Sequence, residues 1–339
     1  MLSSTRRTVL KSGLAAMASG LAMPYIVRAS FASTPVRTLK LVFADVVAAP
    51  GFQSMLRFAE NVKKKTDGAI VVDCYGAGQL GSESNQVPGL QTGIYDLCGQ
   101  TSGFVEPLYP HWNVLDLPFL FPSVEKAEKM LDGPVGARLL GELPAKGIYG
   151  LAYGWWAWRE FDTVNRPVPE PKDVKGLKIR VQPGAVFAAT FRALGAIPTE
   201  IDITEVYLAL SDGTVGAVEL PVISMAANKL EEVVKVVTET NYDYNVGIMM
   251  ASKRTFDLLD KKYQEAIREA ALELTPDWRR TVAQATVQDT KAFAAHGVKF
   301  IKAEQVDRVA YRKAVEPVYQ QYRKVIGSDL MDAVLKAAS

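Results

Sequence analysis

Strand-like and helix-like stretches alternate after the N-terminal segment, and this order limits the fold more than any single motif. Residues 38–44 alternate apolar and polar side chains, which is typical of a strand. Residues 52–65 place apolar side chains at helical spacing, and a strand at 69–75, a helix at 83–91 and a strand from Leu97 follow. Strands separated by helices form a mostly parallel sheet with helices on both faces. The pattern therefore predicts an α/β fold.

The N-terminus has the features of an export signal. Arg6 and Arg7 form a twin-arginine pair, and residues 12–27 are uncharged and rich in Ala, Gly and Leu. This stretch is shorter than the roughly 20 residues that cross a bilayer. We predict a twin-arginine signal peptide at 1–32, cleavage near Ala32 and a periplasmic protein, with an uncleaved anchor as the alternative.

The mature chain carries little net charge. The full 339 residues sum to +2, and removal of 1–32 takes away four basic residues and no acidic one, which leaves −2. A nearly neutral protein offers no broad field for nucleic acid or for an anionic membrane. We therefore expect no nucleic-acid partner and a recognition site that is local.

We expect no cofactor, no metal and no disulfide. Cys74 and Cys98 lie in the predicted strands on either side of the first strand, so about 9.5 Å separates them. A disulfide tolerates only about 7 Å between Cα atoms, and two free thiols are predicted. Together with His111 and His296, these cysteines make no set with metal-ligand spacing.

One glycine-rich loop keeps an enzyme alternative open. Residues 76–81 read Gly-Ala-Gly-Gln-Leu-Gly, follow a predicted strand and precede a predicted helix, with Asp96 twenty residues after Gly76. However, the motif follows the second strand, and Asp96 begins a strand where the fingerprint needs an acid at a strand end. An exported NAD(P)-dependent oxidoreductase is thus a remote alternative. We predict no catalytic residues and no enzyme.

A basic and aromatic stretch in the middle of the chain is the strongest candidate for a ligand site. Trp156 and Trp158 share one face of a regular strand that ends at Arg159, and Trp155 faces the other way. Arg180 lies in a second short strand, 21 positions after Arg159. A planar guanidinium binds a carboxylate through two parallel hydrogen bonds. The alternatives are a solvated arginine and tryptophans buried between domains.

The chain resembles the solute-binding proteins of TRAP transporters, the DctP type, over nearly its whole length after the signal segment. The resemblance is carried by residues 165–167, 176–180, 194–196 and 204–210, with further matches at 58–60, 78–83 and 93–97. It implies a two-lobed periplasmic-binding-protein-like fold, joined by hinge strands and a long helix. It also implies that the protein closes on a small organic acid and delivers the acid to an integral-membrane TRAP permease.

The resemblance also suggests how the chain divides. We expect 33–157 plus 246–285 to form lobe I and 158–245 plus 286–339 to form lobe II. A long helical stretch from about 256 to 295 should break or kink near Pro276. The helical segment from 307 onward is expected to pack on the second lobe. We expect a monomer, with a dimer left open.

Through the resemblance, Arg180 is expected to grip the ligand carboxylate and Arg159 to assist. One extra residue between Arg159 and Asn165 leaves the position of Arg159 open. Trp156 and Trp158 are expected to flank the ligand. The other candidates are Gln100, Thr101, Glu83 and Asp45 on lobe I, and Ile203, Glu219 and Leu220 on lobe II.

Two departures from the family pattern bear on the substrate. Leu220 stands where the family has an Asn that hydrogen-bonds the substrate, and Ile203 stands where an aromatic residue is frequent. Burying sugar-acid hydroxyls without partners costs about 1–3 kcal/mol for each group. We therefore favour a monocarboxylate with an apolar or aromatic body. A small 2-oxo or 2-hydroxy acid or a dicarboxylate stays open, as does a sensory role in place of transport.

Overall fold

The structure is a computed structural model that describes residues 37–338. The predicted signal peptide at 1–32 lies outside the described residues. Among the described helices, none combines the length and the apolar character needed to cross a bilayer.

The strands of the described chain form two sheets. They are β1 (Arg37–Phe43), β2 (Ile70–Tyr75), β3 (Leu97–Thr101), β4 (Ile148–Trp155), β5 (Arg159–Thr163), β6 (Lys178–Val181), β7 (Ile197–Glu200), β8 (Ala217–Val218), β9 (Val236–Asp243), β10 (Val246–Ser252) and β11 (Lys299–Ile301). The first sheet has the order β2-β1-β3-β10-β4, and the second has the order β11-β9-β5-β8-β6-β7. The α/β two-lobed fold is confirmed, with one sheet in each lobe.

Both sheets are mixed, where the sequence predicts mostly parallel ones. β1 pairs in parallel with β2 and β3, but β10 runs antiparallel to β3 and β4. In the second sheet β5 is antiparallel to β8 and β9. The antiparallel pairs have one cause: the chain crosses between the sheets from β4 to β5 and returns from β9 to β10, so the outgoing and returning strands run side by side.

Each of these two crossings contains a residue with left-handed backbone. Ala157, between β4 and β5, has φ of 73°, and Asn245, between β9 and β10, has φ of 51°. Asn tolerates this region because its side chain bonds locally, whereas Ala does so at a cost. The crossings therefore turn sharply at fixed points.

The helices cover the two sheets. They are α1 (Pro50–Lys65), α2 (Glu83–Thr92), α3 (Val124–Leu131), α4 (Pro134–Glu142), α5 (Pro171–Val174), α6 (Ala185–Ala193), α7 (Val206–Ser211), α8 (Val222–Ala227), α9 (Lys253–Phe256), α10 (Lys261–Ala295), α11 (Arg308–Ala314), α12 (Glu316–Ile326) and α13 (Ser328–Ala338). In α1 the apolar side chains of Met55, Phe58 and Val62 recur at helical spacing and are buried. Helices α1 and α2 lie where the sequence predicts them.

The long helix α10 is continuous across Pro276, so the predicted break is wrong, whereas the alternative of a kink stays a prediction. A proline inside a helix removes one backbone hydrogen bond and costs about 3 kcal/mol. Tertiary packing offsets this cost, because the fully buried Trp278 lies directly over Gly154 and Gly247. A Cβ at Gly154 would lie 2.1 Å from the indole, so only glycine permits this approach. Helix α10 packs on α1, β4 and α8 and thereby joins both lobes.

The C-terminal helices pack on both lobes, where the sequence predicts the second lobe alone. Helix α11 contacts α5, and the hydroxyl of its Tyr311 donates to the carbonyl of Val168 at 2.6 Å. Helix α13 lies on α3 and α4, and α12 lies on the 3-10 helix Pro110–Asp116, all from the first part of the chain. The hydroxyl of Tyr319 donates to the carbonyl of Pro118 at 2.9 Å. Helix α12 also contacts α6 of the second sheet's lobe. The amphipathic pattern of a helix shows that one of its faces is buried. It does not show which element of the fold covers that face. The predicted lobe boundaries stay a prediction.

The two cysteines are free, as predicted. Cys74 on β2 is paired with Leu41, and Cys98 on β3 is paired with Val42, so β1 lies between the two thiols. Burial raises the pKa of Cys74 to about 12 and raises the pKa of Cys98 as well. Both thiols are therefore inert at neutral pH.

Candidate functional site

Arg180 on β6 presents a buried guanidinium with an unused donor. The residue is 1% exposed, and Nε donates to the carbonyl of Ile201 at 2.8 Å. Its Nη1 is buried and has no hydrogen-bond partner among the described residues. Burial lowers the pKa of Arg180, and the negative charges of Glu219 and Glu83 oppose this shift. A buried charge with an unmet donor is costly unless an anion occupies the site.

Arg159 is hydrogen-bonded mainly inside the protein, and its predicted assistance in ligand binding stays a prediction. Nε and Nη2 donate to the two carboxylate oxygens of Glu219, Nη2 also donates to the Glu219 carbonyl, and Nη1 donates to Gln182 at 2.7 Å. Burial acts to lower the pKa of Arg159, but the charge and the hydrogen bonds of Glu219 oppose this, and the net shift is upward. The arrangement supports an indirect role for Arg159, as a structural cation behind the site.

Glu219 is likewise committed to internal contacts. Besides Arg159, its carboxylate accepts from the backbone N–H of Gln182 at 2.9 Å and from the hydroxyl of Tyr242 at 2.5 Å. The side chain has no solvent exposure. Because Arg159 takes both oxygens, Glu219 acts on Arg180 through its charge and not through a hydrogen bond, so the two arginines have different surroundings although both are buried.

Trp156 and Trp158 do not share a face, and this part of the prediction is wrong. Trp156 stacks on Phe43, with ring centroids 4.8 Å apart. Trp155 and Trp158 instead both contact the ring of Tyr244, at 5.4 and 5.6 Å. The reason is local, because β4 ends at Trp155 and the left-handed backbone of Ala157 interrupts the alternation of a strand. Trp158 is therefore on the side of Trp155.

Two carboxyl groups of the first lobe belong to the surroundings of Arg180. Asp45 is buried after β1 and accepts from the indole N–H of Trp156 at 2.7 Å. Burial raises the pKa of Asp45 to about 6, and the bond from Trp156 opposes this. Glu83 begins α2, and burial raises its pKa to about 7, while the charge of Arg180 opposes the shift. The negative charge of Asp45 also raises the pKa of Glu83. Glu83 therefore interacts electrostatically with both Arg180 and Asp45.

Gln100 and Thr101 lie at the end of β3, and Thr101 is hydrogen-bonded to Gln182 of the second lobe. Gln100 is buried, donates to Gln86 at 3.2 Å and accepts from the backbone of Thr101 at 2.8 Å. The Thr101 hydroxyl accepts from Nε2 of Gln182 at 3.2 Å. Gln182 was missed by the sequence reasoning, although it directly follows the strand that contains Arg180. It connects Thr101 to the Arg159–Glu219 pair.

The two lobes are in contact across the cleft at three points. Glu83 accepts from the backbone N–H of Ile203 at 3.1 Å and donates its own N–H to Asp202 at 3.2 Å. The Thr101–Gln182 bond is the second point. The third is the bond from the N–H of Ala185, the first residue of α6, to Glu106 at 2.9 Å. These bonds describe a closed arrangement.

Ile203 and Leu220 are buried in the apolar core of the second lobe. Both belong to a cluster with Val218, Val222 and Met225. The backbone N–H of Leu220 donates to the buried carboxyl of Asp162 at 3.1 Å. Both side chains thus have a packing role in the lobe.

The glycine-rich loop at 76–81 has packing reasons for its glycines. A Cβ at Gly76 would lie 2.6 Å from the carbonyl oxygen of Asp45 and 2.7 Å from the ring of Phe52. Gly78 has φ of +71°, and a Cβ there would lie 3.8 Å from the methyl group of Thr204 on the other lobe. Within 37–338, no group of three or more His, Cys, Asp or Glu side chains could hold a metal ion. The loop faces the second lobe. Its glycines are explained by packing and backbone conformation without a bound nucleotide.

Both the sequence and the fold of the chain are similar to those of known proteins. Residues 47–325 match the family model DctP, described as "bacterial extracellular solute-binding protein, family 7". The C4-dicarboxylate-binding periplasmic protein DctP of Rhodobacter capsulatus is 32% identical over 304 residues, which cover 88% of this chain and 90% of that one.

Solved structures with the same fold include two with bound acids. The sugar acid binding protein DctPAm of Advenella mimigardefordensis, in complex with galactonate, has a TM-score of 0.85 and 30% identity over 90% of this chain and 98% of that one. A TRAP periplasmic solute binding protein of Shewanella oneidensis, with bound succinate, has a TM-score of 0.85 and 26% identity over 90% of this chain and all of that one. All three relatives are described as binding proteins and not as enzymes.

Proposed function

The chain belongs to the DctP family of bacterial extracellular solute-binding proteins, and we propose that it binds an organic acid between its lobes and delivers the acid to a TRAP permease. It is a solute-binding protein of the TRAP type and not an enzyme. The observation that carries the proposal is the buried guanidinium of Arg180, whose Nη1 has no partner among the described residues.

A ligand carboxylate supplies what Arg180 lacks. The protein carboxylate that could otherwise hydrogen-bond to Arg180 is that of Glu219. It is already bound to Arg159 through both of its oxygens. A guanidinium matches a carboxylate with parallel hydrogen bonds, and burial strengthens these bonds because water does not compete. In this proposal Arg180 contacts the acid group, and Arg159 holds Glu219 and Gln182 in place behind it.

Closure of the lobes links binding to delivery. Glu83, Thr101 and Glu106 of the first lobe each bond to the second lobe, so the closed surface includes parts of both lobes. Domain closure around a ligand is a common way to signal occupancy to a partner. A membrane permease that recognises this closed surface would accept the loaded protein. A sensory receptor with the same recognition is the alternative partner.

The body of the ligand is proposed to carry hydroxyl groups. Glu83 interacts with Arg180 and with Asp45, and only one oxygen of each of the two carboxyls accepts a hydrogen bond from the described residues. Ligand hydroxyls would donate to the remaining oxygens. The galactonate-bound relative has such a ligand.

An acid with an apolar or aromatic body is the second candidate, and Leu220 and Ile203 are the observation that favours it. Both side chains lie in the apolar cluster of the second lobe and offer no hydrogen bond to a ligand. A 2-hydroxy acid or a dicarboxylate has a polarity between those of the two candidates. The succinate-bound relative has a dicarboxylate ligand.

A thermal-shift screen of the chain from residue 33 separates these candidates. The panel holds sugar acids, 2-hydroxy and 2-oxo acids, dicarboxylates, benzoates and branched-chain acids, with NAD as a control. A ligand at one hundred times its Kd stabilises by about 2.7 kcal/mol, which raises the midpoint by roughly 2 °C or more. A shift with one acid class, lost in Arg180→Ala, supports the proposal. No shift with any acid would contradict it.

A further inference from the structure

Two helix starts face each other across the cleft, and each is capped by a carboxylate of the opposite lobe. Helix α2 of the first lobe begins at Glu83, and the second lobe has a 3-10 helix, Ile203–Glu205, just before α7. The N–H of Glu83 donates to Asp202 Oδ2 at 3.2 Å, and the N–H of Ile203 donates to Glu83 Oε2 at 3.1 Å. The first N–H groups of a helix lack partners within it, and carboxylates are favourable acceptors for them. Through these two bonds, the interlobe caps, each lobe completes a helix start of the other.

The cap of α2 depends on the second lobe. Ser82 is the N-cap residue of α2, but among the described residues its side chain accepts no hydrogen bond from the backbone of the first turn. Its hydroxyl instead accepts from the side-chain amide of Asn85 at 3.1 Å. Asp202 serves both lobes, because Oδ1 accepts from the N–H of Thr204 at 3.3 Å and Oδ2 accepts from Glu83. When the lobes separate, the N–H of Glu83 loses this acceptor and is left to water.

The segment that contains Asp202 is also bonded to the proposed anchor. The N–H of Ile201 donates to the carbonyl of Val181 at 3.2 Å, and the carbonyl of Ile201 accepts from Arg180 Nε at 2.8 Å. Asp202 is the next residue, and its negative charge acts to raise the pKa of Arg180, against the effect of burial. One short segment of the second lobe therefore connects the guanidinium to the interlobe caps.

We propose that Asp202 is a positioning residue, which raises the affinity for the acid by holding the lobes closed. Both of its carboxylate oxygens are hydrogen-bonded within the protein, so it acts through the lobes and not through a contact to the acid. The inference rests on the proposed function, in which the acid is bound between the lobes. A ligand leaves such a site only after the lobes open, so bonds of the closed state slow its dissociation and change its association little.

The charge of Asp202 alone has the opposite effect on acid binding. A carboxylate whose field reaches Arg180 competes with the acid for the positive charge and repels the acid. If charge were the only role of Asp202, its removal would strengthen acid binding. If Asp202 holds the lobes closed, its removal weakens acid binding, because the closed state loses a hydrogen bond to α2. The direction of the change therefore separates the two roles.

Stopped-flow kinetics with galactonate, or with the acid that gives the largest thermal shift, test this role. Asp202→Ala removes the cap of α2, and Asp202→Ser keeps a short acceptor for the N–H of Thr204 but does not reach Glu83. We expect dissociation to be about three- to tenfold faster in both variants, and association to stay within about twofold of the parent. Asp212→Ala is the matched control, because Asp212 accepts from the N–H of Thr214 at 2.8 Å in an exposed turn after α7. It should leave both rates unchanged.

Hydrogen exchange of the ligand-free protein gives a test that does not depend on the acid. Closed molecules protect the N–H of Glu83, so Asp202→Ser should speed exchange in the first turn of α2, in the lobe opposite to the substitution. Asp212→Ala should leave this exchange unchanged. If no acid binds the parent protein, the proposed function fails, and this measurement still decides the role of Asp202.

Three results overturn the proposal. The first is equal exchange in the first turn of α2 in the parent and in Asp202→Ser. The second is dissociation from Asp202→Ala that is as slow as from the parent, or slower. The third is the same acceleration of dissociation in Asp212→Ala, because loss of any local cap in the second lobe would then have this effect.

Discussion

Arg159 binds both carboxylate oxygens of Glu219, and this pairing leaves Arg180 as the buried guanidinium with an unmet donor. The two arginines belong to neighbouring parts of one sheet and are equally buried. Their environments nevertheless differ: Arg159 is hydrogen-bonded to a carboxylate, whereas Arg180 lies in the field of Glu219 and Glu83 without a hydrogen bond to either. The consequences of removing them should differ in the same way.

Arg180→Ala should weaken acid binding by at least a hundredfold and leave the ligand-free protein as stable as before, or more stable. The variant removes a buried charge that has no protein carboxylate bound to it, so its loss relieves a cost. Calorimetric titration with the acid found in the screen measures the first effect, and thermal unfolding without ligand measures the second. Lys178→Ala, on the same strand but exposed, is the matched control and should retain full affinity. An Arg180→Ala protein with parental affinity would exclude Arg180 as the anchor.

Glu219→Ala should destabilise the protein by about 3–5 kcal/mol, because it leaves Arg159 buried without its partner. Urea denaturation of the ligand-free protein measures this loss. The double variant Arg159→Met/Glu219→Leu should recover most of the stability, since it replaces the pair with apolar side chains. A loss below about 1 kcal/mol in Glu219→Ala would show that the pair is not needed to hold the fold.

Trp156→Phe should weaken acid binding, and Trp158→Phe should leave it within about twofold. The first variant removes the N–H that binds Asp45, whereas Trp158 contacts Tyr244 on the other side of the strand end. The two substitutions are chemically identical, so each is the control for the other. Comparison of the two Kd values with that of the parent is sufficient. Equal losses in both would place Trp158 at the ligand after all.

Ligand-free stability should fall as pH rises from about 5 to about 7. The folded-state pKa of Glu83 is raised from 4.5 to about 7, and that of Asp45 from 3.8 to about 6, in both cases by burial. The folded protein then binds more protons than the unfolded chain in this window, so each pH increase favours unfolding. Thermal midpoints at several pH values measure the slope, and Glu83→Gln should reduce it. A slope of the opposite sign, or one that Glu83→Gln leaves intact, contradicts this reasoning.

The sequence predicts local structure better than it predicts pairing, and the role of Arg180 as the anchor stays a prediction. The alternation at 38–44 and the helical spacing at 52–65 match β1 and α1 closely, because local side-chain periodicity is enough to define such elements. Arg180 stands out through its position in a short strand within a recognisable pattern. By contrast, Glu219 is 60 residues from Arg159, and nothing local in either segment shows that their strands become neighbours.

The other errors arise where tertiary packing overrides a local rule. The faces of Trp156 and Trp158 separate because Ala157 adopts a left-handed backbone, which an alanine does not suggest. Pro276 stays within α10 because Trp278 is packed over two glycines in distant strands.

Helix α10 also affects how the two lobes can move relative to each other. Its 35 residues make a rod of about 52 Å. The middle of the rod is held against β4 and α1, where Trp278 packs over Gly154 and Asp277 accepts from Arg57, and α8 also packs on it. Movement of one lobe against the other must therefore shift these contacts or bend the helix. The stiffness of a single helix thus opposes separation of the two lobes.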